Sequence, residues 1–209
     1  SHEFMPVVPN VVDLHQFGLP AVASNKEVIT FVHVSCFDDR SKNLTGFLRS
    51  VKSLSESRSD FHCFLIGEGP DVEEIKDYAG FLHIPDHLIS FPGMLVGEAL
   101  TSAMQQADFS VVSSRYETFG TVIVESLACG TPVLSTRVGV ATELISEENG
   151  MLTEPDNEAT MTTALAEMVK RCRSYNREKV RKSLPDRFSP DSVSRQLLSI
   201  YKSVLHKGP

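Results

Sequence analysis

The chain has 209 residues, of which 41% are hydrophobic and 22% charged, ordinary values for a globular protein and enough for one domain with a sizeable core. Its formal net charge is -7 and no block of lysines or arginines occurs, which excludes an electrostatic grip on nucleic acid and leaves a small ligand as the natural partner. No apolar run approaches the roughly 18 residues that span a bilayer, and no signal peptide opens the sequence, so the widely spaced Cys36, Cys63, Cys129 and Cys172 read as reduced thiols of a cytoplasmic protein.

Residues 1–4 (SHEF) read as an expression scar before Met5, leaving 5–209 as the domain. Residues 28–37 (VITFVHVSCF) are β-branched and aromatic, a strand, and residues 43–55 then carry Leu44, Phe47, Leu48, Val51 and Leu54 at helical spacing. Lys42 stands between them, at the strand end where ligands gather in α/β folds, and a lysine there can neutralise a diphosphate; the alternative is an exposed lysine at a helix start. Residues 61–66 (FHCFLI) form a second strand, ended by Gly67-Glu68-Gly69-Pro70 and followed by a helix over 71–78. Gly67-x-Gly69 resembles the start of a dinucleotide fingerprint, but Val72 holds the third glycine's place, which disfavours hydride transfer and leaves a tight strand-to-helix turn. A short strand at 89–91, the apolar loop Met94, Leu95 and Val96, and a helix over 97–106 come next. His33 reads as a hydrogen-bonded core residue. No histidine pair stands at metal-binding spacing on a helix, and no G-x-S-x-G supplies a nucleophile.

Residues 108–113 (DFSVVS) read as a buried strand, 131–135 (TPVLS) as the next, and the intervening turn and helix complete a βαβ unit whose helix N-terminus suits an anion, phosphate above all. At about 100° per residue, Phe119, Val122, Ile123 and Leu127 share one helix face, while Thr121 and Glu125 form a polar stripe. Glu117 lies beside the helix start, and Gly120 removes the side chain that would keep a ligand from the backbone. A carboxylate accepts two parallel hydrogen bonds, so Glu125 suits a ribose cis-diol; taken alone, both glutamates read equally well as a solvated flank and a dipole-favouring N-terminal residue. Beyond lie a short helix near 141–145, a strand near 151–153, a helix from about 158 to 173 and a terminal helix over 190–205 with Val193, Leu197, Ile200, Tyr201 and Val204 on one face. Strict alternation of strands and helices predicts a doubly wound, Rossmann-like parallel sheet.

The stretch ETFGTVIVE has the E-x7-E form, and with SLACGTPVLSTRVGVATELI after it and PNVVD, FLIGEGP, SFPGML, ENGMLTEPDN and DRFSPDSVSRQLLSIY in matching order it resembles the nucleotide-sugar-binding half of family 4 (group 1) glycosyltransferases of the GT-B fold, over nearly the whole chain. The resemblance implies the C-terminal, donor-binding half of a retaining, metal-independent glycosyltransferase that needs no cofactor beyond its nucleotide diphosphate sugar. The acceptor, a glycan, lipid or small molecule, would then meet an absent N-terminal domain. Peripheral membrane association of the whole protein stays open. By the same resemblance Glu117 holds the sugar, Lys42 is catalytic at the departing diphosphate, Leu95 edges the base, and Thr118, Phe119, Gly120, Thr121 and Glu125 bind donor and nucleotide. The terminal helix would cross to the other domain, leaving part of its apolar face bare. One departure is clear: the family pairs its lysine with an arginine where this chain has Cys36, so either Arg40 supplies the second cation or Lys42 and the helix N-terminus serve alone. The competing classes are a nucleotide-binding regulatory module and a nucleotide-sugar epimerase-like Rossmann enzyme.

Overall fold

The computed structural model describes residues 7–21 and 27–205, so the expected scar at residues 1–4 lies outside the described chain. Strand β1 (Ile29–Val34) leads into a single-turn helix, α1 (Asp39–Lys42), and then α2 (Leu44–Ser55). All five apolar positions read at helical spacing in α2 are buried, as a helix laid on a sheet requires. β1 ends at Val34 rather than Phe37. After Ser35 the chain leaves the sheet, and the Phe37 N–H donates to the Glu68 carbonyl (2.8 Å) in the turn that follows the second strand.

Next come β2 (Phe61–Ile66), α3 (Val72–Phe81), β3 (Ile89–Gly93) and α4 (Gly97–Gln106), and then β4 (Phe109–Val112), α5 (Thr121–Ala128) and β5 (Val133–Thr136). The described chain closes with α6 (Ala141–Leu144), β6 (Gly150–Thr153), α7 (Glu158–Arg171), α8 (Arg177–Lys182) and α9 (Pro190–Leu205). α1 and α8 are too short to show a helical period in the sequence.

The six strands make one all-parallel sheet in the order β3-β2-β1-β4-β5-β6, flanked by helices, the α/β Rossmann-like architecture the alternation predicts. Parallel neighbours need crossover helices, so both faces are covered. Phe31, Leu65, Val111 and Leu134 join Phe47, Leu165 and Met168 in one core, while Val112 and Val133 join Ile123, Leu127, Leu144 and Val180 in the other. Register pairs Phe31 with Phe109 and with Cys63, two residues along β2 from Phe61, and the Phe31 ring lies 5.7 Å from that of Phe61 and 4.8 Å from that of Phe109, so three buried rings bridge the central strands. Burial of each contributes about 1.5–3 kcal/mol.

Strand order reverses between β1 and β4, because the chain builds outward to β3 and then returns. The helices that follow them, α2 and α5, contribute to different cores, and a crevice lies at the carboxyl ends of the two strands. Along α9 only Val193 is buried, and Leu198, Tyr201, Val204 and Leu205 are exposed. Among the described residues no helix is long and apolar enough to cross a membrane.

Candidate functional site

Two loops build the crevice. One leaves β1 through Ser35 and Cys36 toward α1; the other leaves β4 and runs from Ser113 to Gly120, where α5 begins. Between them lies a cavity of about 220 Å³ onto which Lys42, Glu117, Thr118, Phe119, Gly120 and Thr121 converge from the expected set, joined by Asn10, His33, Ser35 and Cys36. Gly120 sits at φ 91° and ψ 58°, and no side chain caps α5. The first backbone N–H groups of α5 therefore have no side-chain cap, and the residues that carry them, Thr121 and Val122, line the cavity, an arrangement suited to an anion.

Lys42 Nζ donates to Glu117 Oε1 at 2.7 Å, and Ser114 Oγ donates to the same oxygen at 2.7 Å. The side chains of Lys42 and Glu117 are only 14% and 16% exposed, so water screens this pair weakly. An isolated helical turn does not hold itself, and α1 is clamped from outside. The Arg115 N–H donates to Ser41 O, and the Arg115 guanidinium donates to the carbonyls of Asp39 and Arg40, to Asn43 Oδ1 and, at 2.6 Å, to Asp156 Oδ1. A cation on the last carbonyls of α1 also suits its dipole.

A buried relay fixes Lys42 from the other side. Burial, and secondarily the nearby Lys42 charge, push the His33 imidazole down to about 3, so it is neutral at ordinary pH. Ser113 Oγ donates to the Lys42 carbonyl (2.7 Å), which requires His33 Nε2–H to donate to Ser113 Oγ (2.9 Å) and leaves Nδ1 to accept from Ser35 Oγ (3.4 Å). His33 is thus a buried hydrogen-bonded residue, as the sequence suggests, and it also lines the cavity. A histidine whose folded value lies below the unfolded one stabilises the fold fully above about pH 6.5, and that contribution is lost as pH falls toward about 3. Melting temperature should therefore drop between about pH 7 and pH 4, and His33→Gln, which keeps a donor for Ser113 and takes no proton, should flatten the profile. Identical profiles would remove His33 from the acid response.

Three expected residues lie apart. Arg40 is exposed on α1 and does not line the cavity, so the place opened by Cys36 is not refilled by its guanidinium. Leu95 borders a separate apolar cavity of about 270 Å³ with Val32, Phe64, Ile66 and Ala103, between the sheet and α4. Glu125 stands inside α5, mostly buried, and its carboxylate makes no hydrogen bond or ion pair with a described residue; burial raises its pKa above the usual glutamate value. The Phe119 ring, read as part of the helix face, lies before α5 and packs edge-on against Phe188 at 5.7 Å. Val124, absent from that reading, is fully buried, because α5 is covered on more than one side. A larger cavity of about 660 Å³ adjoins the first through Asn10, Thr118 and Phe119.

The family model described as glycosyl transferases group 1 matches residues 16–183. Over 149 residues the chain is 30% identical to N-acetyl-alpha-D-glucosaminyl L-malate synthase of Bacillus anthracis, covering 70% of this chain and 38% of that protein. Sucrose-phosphate synthase from Thermosynechococcus elongatus superposes with a TM-score of 0.83 at 22% identity, over 96% of this chain and 53% of the other. Anabaena Alr3699/HepE, solved in complex with UDP and glucose, superposes with a TM-score of 0.77 at 20% identity, over 95% and 56%. Identities at this level show the fold alone. The chain spans less than half the length of the curated relatives it matches.

Proposed function

The chain belongs to the group 1 glycosyl transferases, and on that premise we propose that its crevice is the donor site of a retaining transfer from a nucleotide diphosphate sugar to a glycan, lipid or small-molecule acceptor. The observation that carries this reading is the meeting of Lys42, Glu117 and the uncapped start of α5 in one cavity at the strand-order reversal. As the anomeric carbon gains oxocarbenium character, charge builds on the leaving diphosphate. In this reading Lys42 and the α5 amides meet that charge without a divalent ion, Glu117 accepts from sugar hydroxyls, and Glu125, which lies outside the cavity lining, takes the ribose diol by the family resemblance alone. Arg40, exposed as it is, has no part in this arrangement. The remaining length of the relatives is the proposed source of the acceptor wall, so this domain alone binds donor and transfers nothing.

Calorimetric titration with UDP, GDP and ADP tests the reading. Glu125→Gln should weaken the preferred nucleotide by about 1.5–3 kcal/mol, the range for hydrogen bonds to a charged group. The same change should raise the melting temperature at neutral pH. A carboxyl whose folded pKa is raised destabilises the fold once it ionises, so the cost is absent at acid pH and appears as pH rises past the usual glutamate value of 4.5. Weaker binding with a higher melting temperature is a combination that a merely solvated helix-flank glutamate does not produce. Unchanged affinity would take Glu125 out of the site.

A further inference from the structure

Among the described residues that line the 220 Å³ cavity, Lys42 is the only lysine or arginine and Glu117 the only carboxylate, and the two hold each other at 2.7 Å. His33 is neutral. The side chains facing the proposed diphosphate therefore carry no net charge while this pair is intact. An incoming diphosphate can use Lys42 only by drawing Nζ away from Glu117 or by sharing it, and either leaves a mostly buried carboxylate beside an anion with Ser114 Oγ as its remaining partner. A nucleoside diphosphate without sugar offers Glu117 nothing in return. A sugar-bearing donor differs in two respects: its terminal phosphate carries less negative charge, and its hydroxyls are donors that can take the place of the ammonium on Glu117.

We propose that Glu117 is a specificity-determining residue that competes for Lys42, so that the site favours the sugar-bearing donor and weakens its hold on the free nucleoside diphosphate left after transfer. This rests on the donor-site reading above. Lys42 passes from Glu117 to the diphosphate as the sugar passes onto Glu117, which couples recognition of the two ends of the donor. Once the sugar has gone, Glu117 reclaims the lysine and speeds release of the diphosphate. Ser114 holds the carboxylate oxygen in place through both states.

The test is calorimetric titration of the chain with UDP and UDP-glucose, GDP and GDP-mannose, and ADP and ADP-glucose, with melting temperature as the control for folding. For the pair that wild type binds, Glu117→Gln keeps the size of the side chain and an acceptor for Ser114 but removes the charge. It should raise affinity for the nucleoside diphosphate by roughly two- to fivefold, the scale of one partly exposed ion pair. Affinity for the sugar nucleotide should hold steady or fall, so the donor-to-product ratio drops. Glu117→Ala should give the same sign for the diphosphate, and Lys42→Met in the Glu117→Gln background should cancel the gain. A Glu117→Gln protein that melts like wild type and binds the diphosphate equally or more weakly overturns the proposal and leaves the donor site standing. If wild type binds none of the six nucleotides, the donor-site reading falls and the proposal falls with it.

Discussion

Lys42→Met is expected to lower the turnover of sugar transfer by about 10²–10³-fold, the usual cost of removing one group that stabilises transition-state charge, with a smaller change in donor KM. The assay needs a protein that spans the full length of the relatives. The charge of Lys42 is worth most when the diphosphate departs, so kcat should carry the larger share of the loss. Stability confounds this substitution, because removing the lysine leaves Glu117 mostly buried with Ser114 alone to bond it, an arrangement that costs a few kcal/mol in comparable buried pairs. The double variant Lys42→Met/Glu117→Gln separates the two effects: melting temperature should return toward wild type while turnover does not. Turnover within about threefold of wild type in a folded Lys42→Met protein would hand the leaving-group role to the α5 amides.

What was legible in the sequence is what depends on local pattern. The apolar spacing of α2 and the β-branched runs of β1 and β2 are fixed by neighbours along the chain, and the structure has α2 and β2 where their patterns predict and β1 within its predicted run, ending early at Val34. The loop from Glu117 to Thr121 was legible for the same reason, since a helix start, a glycine and a carboxylate lie within five residues. The sequence reading does not single out Arg115, and nothing near it explains it. Its partners Asp39, Asn43 and Asp156 come from distant segments, and a lone arginine in SSRYE looks like any solvated cation. His33 is a similar case: a histidine in a strand reads as core, and only the register of β1 against β4 brings Ser113 and the end of α1 to it. Arg40 and Leu95 show the converse. Proximity in sequence to Lys42 or to a strand end does not tell which way a side chain leaves a one-turn helix or a loop, and here Arg40 goes to solvent and Leu95 toward α4.

Gly139 marks the other large effect, one that no local pattern announces. It follows β5 with φ 49°, and a Cβ built on it would stand 2.3 Å from the Phe119 carbonyl oxygen and 3.0 Å from Glu117 Cβ. The neighbouring Val140 N–H donates to that same carbonyl at 2.7 Å. The chain after β5 is thus the back wall against which the loop carrying Glu117 is pressed, and only a hydrogen fits between them. Gly139→Ala should therefore cost about 3 kcal/mol or more, from the left-handed backbone, the displaced carbonyl and the stretched hydrogen bond together. For a chain of this length that is a fall of roughly 6–12 °C in melting temperature. Nucleotide binding should fail in the fraction still folded, since Glu117, Thr118 and Gly120 move with Phe119. Gly120→Ala is the contrasting case: its Cβ would press closely on the end of the Ile123 side chain alone, at 3.1 Å, with Glu117 Cγ at an ordinary 4.0 Å, so the cost is the strained φ of 91°, about 1–3 kcal/mol, and a methyl group at the cavity. Thermal melts and calorimetry on the two variants decide the matter. A Gly139→Ala protein that melts within about 2 °C of wild type and binds nucleotide normally would show that the loop is not seated on the β5 turn as the structure has it.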